Sequence, residues 1–118
     1  VYQRVDAADT VSCRPDFAMA LYPGHLAVRE RGFTLNPDIH VTNRTPPTFL
    51  LQAEDDPIDP VENSLVYHAA LRKAGALAEL HLYVKGGHAF GLRRTGAPIT
   101  AWPELAERWL ATIGMISK

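Results

Sequence analysis

Apolar and polar positions along the chain fall into a few separable patterns. Phe17 to Tyr22 (FAMALY) is a continuous apolar run closed by Pro23-Gly24, which predicts a strand buried on both faces. Thr48 to Ala53 (TFLLQA) is a second run of the same kind. Ala78 to Val84 alternates, with Leu80, Leu82 and Val84 on one side and Glu79, His81 and Tyr83 on the other, as a half-exposed strand near a sheet edge does. Between these last two strands, Asp59-Pro60-Val61-Glu62 reads as a helix start. Asp59 is the predicted N-cap, Pro60 the first helical position and Glu62 the partner in a capping box. That helix is expected to run to about Ala74, with Arg72 and Lys73 in its last turn and Gly75 as its stop. A final helix places Trp102, Leu105, Ala106, Trp109, Leu110 and Ile113 on one face, with Thr100 as the predicted N-cap.

The remaining segments carry no period. Residues 1–16 read as a loop with room for one helical turn, 25–47 as an excursion broken by Gly32, Pro37, Pro46 and Pro47, and 85–99 as a glycine-rich loop. Strands separated by a helix predict parallel pairing and an α/β class, with about three strands in a short, mostly parallel sheet flanked by helices. Three strands are few for such a sheet, because two apolar faces and two edges must be covered.

With 118 residues the chain reads as one domain, and 47% hydrophobic against 21% charged residues excludes a disordered chain. A net charge of −1 without a basic block argues against a nucleic-acid partner, and no apolar run is long enough to span a bilayer as a helix. Cys13 is the only cysteine, which removes an intramolecular disulfide and a cysteine-based zinc site. The five histidines include no i,i+4 pair, and the acidic turn lacks the glycine of a calcium loop, so neither a metal nor a cofactor is expected. The chain opens on Val1 with no signal pattern, as one that starts within a longer polypeptide does.

Two stretches could carry chemistry. In Leu50 to Ser64 a strand ends in Asp55 and Asp56 just before the capped helix, and open α/β sheets place ligand and catalytic groups at such strand ends. By composition alone an acidic turn of this kind is a solvated loop. The second stretch, Lys85-Gly86-Gly87-His88-Ala89-Phe90-Gly91, puts a histidine among glycines just past the next strand. Glycine belongs where the backbone bends sharply or approaches another group closely. His88 and an Asp from the neighbouring strand end would then share one rim of the sheet, and an Asp–His pair is two-thirds of a nucleophilic triad.

The segment Thr45 to Leu92, together with Trp102-Pro-Glu-Leu-Ala-Glu-Arg-Trp-Leu110, resembles the C-terminal part of an α/β-hydrolase. Within that superfamily it is most similar to acetylxylan-esterase-like and dienelactone-hydrolase-like esterases. The resemblance rests on Pro46-Pro-Thr-Phe-Leu50, the acidic turn and helix, Glu79-Leu-His-Leu-Tyr83 and Lys85-Gly-Gly-His-x-Phe-Gly91. It implies a partial α/β-hydrolase fold and a carboxylic-ester hydrolase of the serine type, acting on a small-molecule ester. It also implies Asp56 as the triad acid, four positions before Pro60, and His88 as the base. The family's usual His-Gly at the end of the second strand is Gln52-Ala53 here.

A larger departure concerns the nucleophile, a serine in Gly-x-Ser-x-Gly upstream of both partners. The chain has three serines, Ser12, Ser64 and Ser117, and none stands in that pattern. The expectation is therefore an Asp–His fragment without a nucleophile of its own, weakly active or inactive alone. The alternative is a non-catalytic α/β module that self-associates. In the parent fold the outer edge of Phe17–Tyr22 would pair with the nucleophile strand, so a homodimer or larger assembly through that edge is expected.

Overall fold

The computed structural model describes residues 3–117, leaving residues 1, 2 and 118 of the predicted terminal segments outside the description. Among the described residues, five strands and two α-helices follow one another: β1 (Ala18–Leu21), β2 (Ala27–Val28), β3 (Thr34–Leu35), β4 (Thr48–Ala53), α1 (Glu62–Ala74), β5 (Ala78–Tyr83) and α2 (Trp102–Thr112). Short 3₁₀ turns cover Ala7–Thr10, Arg29–Arg31 and Pro98–Ala101. The main sheet has the order β1-β4-β5 and is parallel throughout, with Ala18 opposite Thr48 and Thr48 opposite Ala78. The α/β class and the three predicted parallel strands are therefore present.

β4 is the centre of the molecule, and all six of its residues are buried. Its pleat sends Phe49, Leu51 and Ala53 towards α2, where they meet Trp102, Ala106, Trp109 and Ile99. Leu50 faces the other way and joins Leu71 of α1 and Ala76. Alternate side chains of a strand point to opposite faces, so a strand covered on both sides reads as an uninterrupted apolar run. That explains TFLLQA.

The same logic does not extend to β1. FAMALY suggested a strand buried on both faces, but β1 has only β4 as a neighbour and its four residues are partly buried. Phe17, just before it, is exposed at 36% although its ring stands edge-on to Trp109. β5 is the other edge, as its alternation predicted. Its polar positions are half-exposed as expected, His81 keeping 27% and Glu79 39% of their side-chain surface in solvent, although the His81 ring also lies 5.2 Å from that of Phe49 and Tyr83 packs on the core beneath α2. Only Val84, past the strand end, is freely exposed.

Both predicted helix starts are corrected. Regular helix begins at Glu62 behind Val61, with no side-chain cap from Asp59 and no capping box through Glu62. Backbone bonds from Asn63 to Pro60 and from Ser64 to Val61 close the first turn instead, and the Asn63 side chain also reaches the Pro60 carbonyl. Asp59 is thereby free to point elsewhere. At α2 the cap position is Ala101, because the 3₁₀ turn Pro98–Ala101 leads straight into the helix. Thr100 is buried inside that turn, its hydroxyl donating to the carbonyls of Thr95 and Ala97. The predicted end of α1 stands: Gly75 follows Ala74 in the left-handed conformation.

Residues 25–47 hold the β2–β3 hairpin, which the lack of a period concealed. Asn63 of α1 anchors it, accepting the N–H groups of Leu26 and Ala27 at 2.9 Å each on one amide oxygen.

Candidate active site

Parallel pairing carries three chain segments to one rim. Leu21 ends β1 opposite Leu51, and Ala53 and Tyr83 end their strands opposite each other, so the Tyr22–Gly24 turn, the Glu54–Asp59 turn and the Val84–His88 loop all emerge at the carboxyl edge of the sheet. Two backbone bonds fix the alignment, from Tyr22 N–H to the Leu51 carbonyl and from Glu54 N–H to the Tyr83 carbonyl.

Asp56 and His88 meet there. The imidazole Nδ1 lies 2.8 Å from Asp56 Oδ2 and 3.1 Å from Oδ1. Oδ1 also accepts the N–H groups of Ile58 and Asp59, at 2.9 and 3.0 Å. The Asp56 side chain is fully covered, whereas that of His88 keeps 24% of its surface in contact with solvent. Burial by itself pushes the Asp56 carboxyl upward, but the Asp59 N–H, the His88 ring and the Ile58 N–H all stabilise its charged form, and the net result lies below the ordinary carboxylate value. Asp56 is therefore a carboxylate at neutral pH, and the ring nitrogen facing it carries hydrogen. Among the described residues His88 Nε2 has no hydrogen-bond partner, which leaves it free to accept a proton from outside.

The sign of the Asp56 shift gives a testable consequence. A lowered native value adds stability that is fully present above the ordinary carboxylate value of 3.8 and is lost as pH falls through the native one. Urea unfolding between about pH 2 and 5 is expected to show this loss in the parent and a flatter pH dependence in Asp56→Asn. Identical pH slopes for the two proteins would contradict the assigned shift.

Neighbouring residues hold the pair in place. Asp55, next to the proposed acid, takes no part in the contact with His88. Its Oδ1 accepts the N–H groups of both Gly86 and Gly87 at 2.8 Å, tying the histidine loop to the acid turn. Gly86 is needed for close approach, since a Cβ there would sit 2.7 Å from Ile99 Cδ1 and 3.2 Å from Ala53 Cβ. The Tyr22 ring lies 4.8 Å from the imidazole and stands edge-on to Phe90. Tyr22 (φ 41°) and Ala89 (φ 56°) both adopt left-handed backbone, uncommon for residues with a Cβ, and they flank His88 on two sides.

Gln52 and Ser64 make a buried polar link beneath the rim. The Ser64 hydroxyl donates to Gln52 Oε1 at 2.6 Å, and Gln52 Nε2 donates to the Asp59 carbonyl at 2.8 Å and the Pro23 carbonyl at 3.4 Å. The Gln52-Ala53 departure thus has a structural content: the glutamine bridges the acid turn to the end of β1. It also commits Ser64 to a partner. Ser12 accepts the Arg14 N–H, and among the described residues no serine hydrogen-bonds His88.

Beside the imidazole lies a cleft of about 310 Å³, bounded by Gly86, Phe90, Arg93, Thr95 and Ile99. It opens on the same rim as the Asp56–His88 pair.

Residues 12–112 match the model of the prolyl oligopeptidase family. The chain belongs to that family. A search of curated proteins returned no match. Among solved structures, the chain is similar to an acetyl ester-xyloside bifunctional hydrolase from Caldicellulosiruptor lactoaceticus, at 32% identity and a TM-score of 0.83, covering 98% of this chain and 48% of that one. A sugar hydrolase from Lactococcus lactis shares 28% identity with a TM-score of 0.66, over 85% of this chain and 49% of that one. A carboxylesterase from Lactobacillus plantarum shares the fold, with a TM-score of 0.72 at 22% identity, over 93% of this chain and 49% of that one. The chain is thus an α/β-hydrolase relative of esterases, and it spans about half the length of the solved structures it matches.

Proposed function

We propose that the chain supplies the acid and base of a serine-hydrolase centre that cleaves carboxylic esters, with Asp56 orienting His88 and His88 moving protons. The observation that carries this reading is the contact between a covered carboxylate and Nδ1 of an imidazole whose Nε2 is unpaired among the described residues. The similarity to an acetyl ester-xyloside hydrolase supports an ester of a small polar alcohol or sugar as the substrate class.

The chemistry follows from the geometry. His88 Nε2 takes the proton of a serine hydroxyl as its oxygen attacks the acyl carbonyl, and Asp56 stabilises the imidazolium that forms. The same proton passes to the departing alcohol oxygen, leaving an acyl-serine. Water then attacks the acyl carbon, His88 taking its proton and passing it to the serine oxygen as the acyl–oxygen bond breaks, and the carboxylic acid is released. Under this reading the serine lies outside these 118 residues, because Ser12, Ser64 and Ser117 are not at His88 and Ser64 is held by Gln52.

One observation favours a second reading, a non-catalytic module that self-associates. β1 is hydrogen-bonded to β4 alone, so its outer edge is available to another strand among the described residues. A single experiment separates the two. The chain is assayed on an activated acetate ester alone and grafted in place of the corresponding half of the Caldicellulosiruptor lactoaceticus hydrolase. The expected result is negligible turnover alone and turnover in the graft that disappears with Asp56→Asn. A well-folded graft whose activity is indifferent to Asp56 would overturn the catalytic reading in favour of the module.

A further inference from the structure

We propose that Asp59 is a second carboxylate serving His88, acting on the imidazolium through its charge, and that Gly24 exists to make room for it. This rests on His88 being the base, and goes beyond the acid–base pair in giving that base two anionic partners.

The predicted N-cap role of Asp59 is vacant, since α1 closes its first turn with backbone groups. The side chain instead turns back to the rim, where Oδ2 lies 3.9 Å from His88 Nδ1. That separation is too long for a hydrogen bond and short for a pair of opposite charges. Asp59 is placed by its own backbone. Its N–H donates to Asp56 Oδ1 and its carbonyl accepts from Gln52, so one residue is held by the acid on one side and by the buried Gln52–Ser64 link on the other. The carboxylate then rests against Gly24 at the end of β1: a Cβ on that residue would come within 2.6 Å of Asp59 Cγ. Gly24 has no left-handed backbone to require glycine, so the close approach of Asp59 is the physical reason for it.

The other groups around the imidazole do not duplicate this. Asp56 makes the hydrogen bond, Tyr22 just past β1 lies tilted against the ring, Asp55 is engaged with Gly86 and Gly87 N–H, and Arg93 lines the adjacent cleft while donating to the Ala89 carbonyl. When His88 takes up a proton, the new positive charge lies beside Asp56 and within reach of Asp59. Asp59 stabilises that state without competing for the Nδ1 hydrogen, which leaves Nε2 facing outward.

The test uses the 118-residue chain and needs no substrate. NMR signals of the His88 ring are followed through a pH titration in the parent, Asp59→Asn, Gly24→Ala and Asp56→Asn. Asp59→Asn is isosteric and removes only charge, whereas Gly24→Ala keeps the charge and displaces it. Both are expected to move the midpoint of the His88 signals to lower pH by about 0.3 to 1 unit, with the difference from the parent shrinking at high salt. Midpoints that coincide with the parent in both variants, while Asp56→Asn moves, would overturn the role of Asp59 and leave the Asp56–His88 pair intact. A midpoint unmoved by all three would overturn the pair and this inference together.

Discussion

Replacing His88 by alanine is expected to lower ester turnover in the grafted enzyme by about 10⁴-fold or more, with the fold undisturbed. The size of the effect follows from the lack of a substitute. Transfer of the serine proton needs a base on the rim, and His88 is the residue there whose ring nitrogen is unpaired and partly open to solvent. Asp56 is fully covered and bonded to the ring, and Asp55 is engaged with the Gly86 and Gly87 amides. His81 pairs with Glu79 at 2.7 Å on β5, and His68 lies on α1, where burial and then the neighbouring Arg72 push its imidazole below the ordinary value. Alanine at position 88 leaves the Asp55 clasp on Gly86 and Gly87 in place, so the loop should persist. Turnover of activated esters by the parent and variant grafts, compared at equal concentrations of folded protein, measures the effect. Unchanged turnover would remove His88 from the mechanism.

The Asp56–His88 contact was legible before any coordinates, for a definable reason. Parallel strands project their carboxyl ends to one side, so an acidic turn after one strand and a Gly-Gly-His loop after the next must emerge on the same rim. Resemblance to the esterases then singled out Asp56 over Asp55. The structure assigns Asp55 a different task on the glycine amides, one that composition could not reveal because it depends on a backbone 31 residues away.

What the sequence concealed has a common cause. Asp59-Pro60-Val61-Glu62 carries every local mark of a capped helix start, yet Asp59 serves a partner distant in the chain, and capping rules consider neighbours only. Gln52 and Ser64 are twelve residues apart and each looks unremarkable alone. Their significance lies in both being fully buried, where a polar side chain needs a partner, and each is the other's. The clue was available in part: a glutamine at the end of an otherwise apolar strand is a polar group that burial must satisfy. The β2–β3 hairpin, with two residues per strand, is too short to show alternation at all. Likewise the apolar run at Phe17–Tyr22 identified a strand without revealing how few neighbours it has.

Phe49→Ala is expected to destabilise the folded chain by about 3 to 5 kcal/mol. Phe49 has no exposed surface and is the first of the three β4 residues facing α2, with ring centroids 5.6 Å from Trp109 and 5.2 Å from His81. It therefore joins the central strand, the closing helix and an edge strand, and no one neighbour can move into the space it leaves without abandoning another. Rigid surroundings of this kind retain a cavity, which adds to the lost transfer energy of the ring. A domain of this size typically has only about 5 to 15 kcal/mol of stability, so the loss would consume a large share of it. At roughly 4 °C per kcal/mol, the unfolding midpoint should fall by about 12 to 20 °C. The effect also reaches the rim. Trp109 on α2 and Ile99 before it belong to the same cluster, and Ile99 packs where Gly86 leaves space beneath the His88 loop. Loosening the cluster should therefore weaken the loop that carries His88 as well as the core. Chemical denaturation of parent and variant, with the slope unchanged and only the midpoint displaced, would establish the loss. A cost below about 1 kcal/mol would mean that Trp109 collapses into the vacated space, and that α2 is held to the sheet more loosely than this packing implies.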